Sequence, residues 1–191
     1  MARLSESGIL PRQLAEDWYC NQQMEHRYDG HIAPINKIVD DLCNEAKKIT
    51  VPYVAPIYGG VNARLLSILR DPGPKANQSK FLSIENDDPT AERMYWLIDE
   101  IGINVDHMVP WNAYPWYINR EPKSAELGAG VEPLRSVIDL MPKLRVVILH
   151  GGTARKSWKK LTASYKNSIC ERKLEIIETY HPSPQAFRHK R

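Results

Sequence analysis

Cysteine is scarce in this chain and badly spaced for metal or disulfide chemistry. Only Cys20, Cys43 and Cys170 occur, odd in number and far apart. Without a CxxC pair, neither a zinc ribbon nor an iron–sulfur cluster is expected. Reduced thiols in the cytoplasm, nucleoid or nucleus account for the three, so a secreted protein is not expected. The opening segment Met1-Ala2-Arg3-Leu4-Ser5-Glu6 has no apolar core of a signal peptide. No apolar run approaches the length of a membrane span, so no membrane partner is expected. A GxSxG elbow, the Walker lysine pattern and the dinucleotide fingerprint are all missing, which argues against an α/β hydrolase, a P-loop enzyme and a Rossmann enzyme. Repeats and low-complexity stretches are missing too.

What is present is an ordinary globular composition of 191 residues, enough for one domain with one substantial core, here expected to span 1–191 with a helical N-terminal part over 1–50. A monomer is expected. The net charge of +3 is too small to point to a partner. Its distribution is more telling. Acidic residues gather at Asp87, Asp88, Glu92, Asp99, Glu100 and Asp106, and basic ones at Arg155, Lys156, Lys159, Lys160, Arg188, Lys190 and Arg191. The basic third reads either as a phosphate-facing surface or as a solvated helix face with a charged tail.

Apolar periodicity orders the chain. A helix is expected around Leu14–Tyr19. Ile35, Ile38, Val39, Leu42, Ala46 and Ile49 recur at helical spacing behind Pro34. Thr50–Asn62, broken by Pro52, Pro56, Gly59 and Gly60, reads as loop. Four strands are expected, over Ala63–Leu69, Asp106–Asn112, Leu144–His150 and Leu174–Thr179, the first and third read as buried, separated by helices over Thr90–Ile101, Glu132–Leu140 and Gly151–Tyr165. This βαβ alternation predicts an α/β fold: a three-layer α/β/α sandwich around a central, mainly parallel four-stranded sheet. Ligands in such sheets bind beyond the carboxyl ends of the strands. Just past the four expected ends stand Asp71, Asn112, Gly151-Gly152-Thr153 and His181.

Each of these can do chemistry. Asp71, stiffened by Pro72 and relieved by Gly73, is a fixed carboxylate that can orient water or stabilise a cation, or simply a turn residue. Asn112 pairs an acceptor with donors, as the edge of a uracil requires, or caps a strand end. His181, held extended by Pro182, can donate to a developing oxyanion, and Ser183 can meet a phosphate; an ordinary exit loop has the same composition. Gly151, Gly152 and Thr153 at a helix start can bind phosphate through backbone N–H groups, with Arg155, Lys156 and Lys159 adding charge. Trp111, Trp116, Trp158 and Tyr114 read as core.

Two of these segments carry a family resemblance. Asp71-Pro72-Gly73-Pro74 resembles the first motif of the uracil-DNA glycosylase superfamily, and His181-Pro182-Ser183-Pro184 resembles its second. Between them, Val109-Pro110-Trp111-Asn112 is similar to the strand whose terminal asparagine reads uracil, and Ile148–Ala154 to the glycine turn after the third strand. The resemblance covers about Leu65 to Pro184. It implies a monofunctional DNA glycosylase that hydrolyses the N-glycosidic bond of uracil, or a related deaminated or damaged base, flipped out of DNA, with no metal or other cofactor. It assigns Asp71 to the water or the sugar cation, Pro72 and Gly73 to backbone beside the base, Phe81 to stacking on it, Asn112 to its edge, His181 to the leaving base and Ser183 to phosphate. Pro184 and Gln185 would face the DNA. Gln185 stands where an apolar wedge is common, with Phe187 two residues on, and little chain follows for a C-terminal helix. Ala76-Asn77-Gln78, in the base-pocket loop, lacks the bulky tyrosine that excludes thymine in some branches. The alternative reading is a non-catalytic or diverged nucleic-acid- or protein-binding module on the same scaffold.

Overall fold

The computed structural model describes residues 3–46 and 50–188. Ile49, Lys190 and Arg191 lie outside the described residues, as do the side chains of Ala46, Phe187 and Arg188.

The N-terminal part is helical, with α1 at Asp17–Glu25 and α2 at Ala33–Ala46. Pro34 falls in the first turn of α2, where its missing N–H costs nothing, and Ile35, Val39 and Leu42 turn a buried stripe inward. Then come β1 (Tyr53–Val54), β2 (Leu65–Leu69), α3 (Pro74–Ser79), β3 (Phe81–Leu82), α4 (Pro89–Ile101), β4 (Met108–Asn112), α5 (Ser124–Ala129), α6 (Val131–Asp139), β5 (Val146–His150), α7 (Gly151–Ser164), α8 (Lys166–Glu171), β6 (Glu175–Thr179) and α9 (Pro184–Arg188). The Asp88 carboxylate accepts from the Thr90 and Ala91 amides at 2.8 and 3.0 Å and starts α4; Gly102, in the left-handed region, ends it.

The main sheet has the order β4-β2-β5-β6, with all three pairings parallel. Helices flank it in the three-layer arrangement expected. The four long strands lie within a residue or two of their expected bounds; β2, β4 and β5 are short, largely buried apolar runs closed by turn residues, whereas the edge strand β6 is exposed. Leu66, Ile68, Val109, Val147 and Leu149 are buried at its centre, each contributing about 1.5–3 kcal/mol. Pro110 is tolerated because β4 is an edge strand.

Smaller elements depart from expectation. Thr50–Asn62 is not all loop: β1 pairs in parallel with β3, and buried Asn36 holds it, donating to the Val54 carbonyl at 3.0 Å and accepting from its amide at 2.9 Å. A two-residue strand has no period to read. Ala76-Asn77-Gln78 is helix α3 rather than loop, started by Pro74. The chain after His181 does not stay a proline-rich loop, because Pro184 takes a position that suits the start of a helix, α9.

The chain leaves β2 toward β4 on one side, then crosses to β5 and β6 on the other. Strand order therefore reverses at β2, and a crevice opens between the carboxyl ends of β2 and β5.

Candidate active site

A cavity of about 680 Å³ occupies that crevice. Its lining includes Asp71, Pro72, Gly73, Asn112, Gly151, Gly152, Thr153, His181, Ser183, Pro184 and Gln185. Eleven of the thirteen residues singled out from sequence thus meet around one space. The register explains part of this. Leu69 pairs with Asn112, and the ladder runs on through Ala113 N–H to Leu69 and Tyr114 N–H to Arg70, so the turn at Asp71 lies beside Asn112.

Phe81 and Arg155 are not brought there. Phe81 is fully buried in the core, its ring 6.4 Å from that of Tyr53, and the cavity is lined instead by the next residues, Leu82, Ser83 and Ile84. The alternation of β3 accounts for it: one side chain of the pair faces in, its neighbour out. Arg155 pairs with Glu178 at 3.6 Å outside the cavity lining, and Lys156 with Glu121 at 3.7 Å. Trp111, Trp158 and Tyr114 are buried as expected, and Trp116 packs against the core.

The Asp71 side chain is nearly inaccessible. Its Oδ1 accepts a short hydrogen bond from Arg70 Nε, and its Oδ2 has no hydrogen-bond partner. Burial raises the carboxyl above its ordinary range. Arg70 and the nearby backbone amides of Asn119 and Arg120 oppose the rise. Asn112 is also buried, and its Nδ2 has no partner. Two polar atoms on neighbouring strand ends are therefore left unsatisfied at the wall of one cavity. Each such group costs about 1–3 kcal/mol when buried, which marks both as functional candidates rather than fold elements.

The His181 ring is held in one form. The Ser183 amide donates to its Nδ1 at 3.1 Å, so the neutral ring carries its proton on Nε2. Burial, with the positive charge of Arg70 behind it, holds its pKa down at about 4. At neutral pH it is a neutral hydrogen-bond donor. Gly151 shapes the wall beside it, with φ +85°, a conformation suited to glycine. The first residues of α7, Gly151, Gly152 and Thr153, line the cavity, and Glu121, also in the lining, accepts from the Thr153 hydroxyl at 3.5 Å.

Sequence reasoning missed four lining residues. Arg70 touches Asp71; Ser67 and His150 face each other at 2.9 Å; Asn119, with φ +51°, approaches the Asp71 carboxylate. A hydroxyl inside the apolar run Leu65-Leu66-Ser67-Ile68-Leu69 was the available signal for Ser67. Asn119 carried none, since its role depends on a loop conformation.

A buried carboxylate, an amide and a neutral imidazole thus converge in one pocket at the switch point of a parallel α/β sheet. The description of the uracil DNA glycosylase superfamily matches residues 56–191, most of the chain, and the protein belongs to that superfamily. Members of it act on DNA, and a DNA glycosylase-like role follows in general terms. No curated protein matches the chain. Among the described residues, no helix is long and apolar enough to cross a membrane.

Proposed function

We propose that this protein is a monofunctional glycosylase that removes uracil, or a related deaminated or damaged base, from DNA. The observation that carries the reading is the pair of unpartnered buried atoms, Asp71 Oδ2 and Asn112 Nδ2, in the same cavity as a neutral His181.

A base turned out of the helix enters the cavity and gives Asn112 Nδ2 the acceptor it lacks. The bond from C1′ to the base breaks, and its electron pair leaves with the base. His181 Nε2–H donates to the oxygen on which that charge gathers. Asp71 Oδ2, left free by the bond from Arg70 to Oδ1, faces the sugar cation and orients the attacking water. Water adds to C1′, and its proton ends on the departing base, so the products are free base and an abasic sugar. Pro72 and Gly73 place backbone beside the base. Ser183, Pro184, Gln185 and the amides of Gly151, Gly152 and Thr153 hold the flanking phosphates, with Arg155 outside the cavity adding charge. Phe81, enclosed in the core, takes no direct part.

The test is a product profile over single- and double-stranded oligonucleotides holding uracil, hypoxanthine, xanthine or mismatched thymine. An abasic product is expected from at least one, and Asp71→Ala and His181→Ala should each slow it by about 10²–10⁴-fold. Folded protein that yields none from any of them would leave only a binding module on this scaffold.

A further inference from the structure

At the wall of the cavity, a polar chain links three neighbouring strands, β2, β5 and β6. Ser67 lies mid-strand in β2 and is almost inaccessible, with its Oγ 2.9 Å from His150 Nε2. His150 ends β5, is buried, and its ring also hydrogen-bonds the backbone of Tyr180, the residue before His181. With Nε2 facing Ser67, Nδ1 is the nitrogen left for the Tyr180 carbonyl. The ring is neutral, since burial and the neighbouring His181 hold it down at about 4. It therefore donates from Nδ1 and accepts the Ser67 proton at Nε2. The next residue, Gly151, lies against His181, so the end of β5 meets the His181 segment through both side chain and turn.

A buried hydroxyl–imidazole pair adds little net stability over an apolar pair of the same shape. What it adds is direction, because hydrogen bonds fix orientation where apolar contacts do not. The base-excising groups do not include it.

We propose that Ser67 and His150 are positioning residues for His181. The chain from Ser67 Oγ through the His150 ring to the Tyr180 carbonyl anchors the backbone from which His181 projects, and so holds His181 Nε2–H at one point of the cavity. The role given to His181 rests on the base-excision reading; the anchoring itself does not.

The experiment follows His181 by nitrogen-15 imidazole NMR and, in parallel, measures single-turnover base release. The variants are Ser67→Ala, Ser67→Thr and His150→Leu, with Ser67→Ala also placed in a His181→Ala background. In the native protein His181 should show one tautomer, protonated at Nε2. Ser67→Ala and His150→Leu should give mixed tautomers, and Ser67→Thr, which keeps the hydroxyl, should restore the single form. Base release should fall about tenfold to a hundredfold in Ser67→Ala with DNA affinity unchanged. It should fall no further when His181 is already alanine. An unchanged His181 spectrum in Ser67→Ala overturns the proposal, and so does an equal loss in both backgrounds. If the native protein releases no base from any substrate, the base-excision reading fails and the NMR comparison alone decides the anchoring.

Discussion

Gly151 and His181 are packed so closely that a Cβ on Gly151 would lie 3.2 Å from the Cβ of His181. The glycine closes the turn from β5 into α7, and the histidine follows β6. Parallel pairing of those strands, His150 opposite Thr179, puts the two turns side by side.

Gly151→Ala should therefore disturb the site more than the fold. The φ of +85° and the crowded Cβ together should cost about 1 kcal/mol or somewhat more. Base release should fall by about tenfold or more as His181 is displaced. Denaturant unfolding beside single-turnover kinetics checks both; full activity at reduced stability would contradict the expectation.

Asp71→Asn should separate stability from activity. The native carboxylate is buried, its Oδ2 has no hydrogen-bond partner, and Arg70, which is well exposed, loses little when left alone. The variant should be at least as stable at neutral pH while base release drops by about 10²–10⁴-fold. A large loss of stability would mean that Asp71 serves the fold.

Acid stability should depend on buried groups pulling in opposite directions. His150 and His181 are both held at about 4, below the ordinary 6.5. Between these values the unfolded chain binds protons that the native chain does not, so stability falls as pH falls. Glu85, fully buried and accepting from Tyr19 Oη at 2.7 Å, is pushed up to about 7 by burial. It keeps a proton that the unfolded chain loses above about 4.5, so its contribution falls as pH rises to 7; Asp71, also raised, acts in the same sense. Glu85→Gln should remove one opposing group. Its stability should drop more steeply on acidification below pH 6.5 and exceed the native value near pH 8, as denaturant midpoints across pH 4.5–8 would read. A shallower dependence would contradict the assignment.

Gly73→Tyr should narrow the range of bases accepted. Gly73 lines the cavity, its φ of −75° suits any residue, and a Cβ there meets nothing within 4 Å. A tyrosine can fold in and fill that space. Release of hypoxanthine or xanthine should fall about tenfold or more relative to uracil. An equal fall for every base would point to general damage.

Much of this was determined by the sequence alone. Three long strands, β2, β4 and β5, and the edge where Asp71, Asn112 and Gly151 meet follow from apolar runs closed by turn residues, since a buried strand must be apolar and a strand end must turn; β6, exposed and half polar, was marked by its alternation-poor Ile176-Ile177 pair and the His181-Pro182 turn that ends it. The two tetrapeptide motifs lie within those turns. Tertiary structure decided what short-range pattern cannot carry. Phe81 goes to the core because pairing with β1 sets which face of β3 is buried. Arg155 goes to Glu178 rather than the cavity because the turn of α7 directs it there. Ser67 and His150 meet across 83 residues because β2 and β5 are neighbours in the sheet, and the burial of Asp71 Oδ2 and Asn112 Nδ2 without a protein partner exists only once the surrounding chain has closed around both.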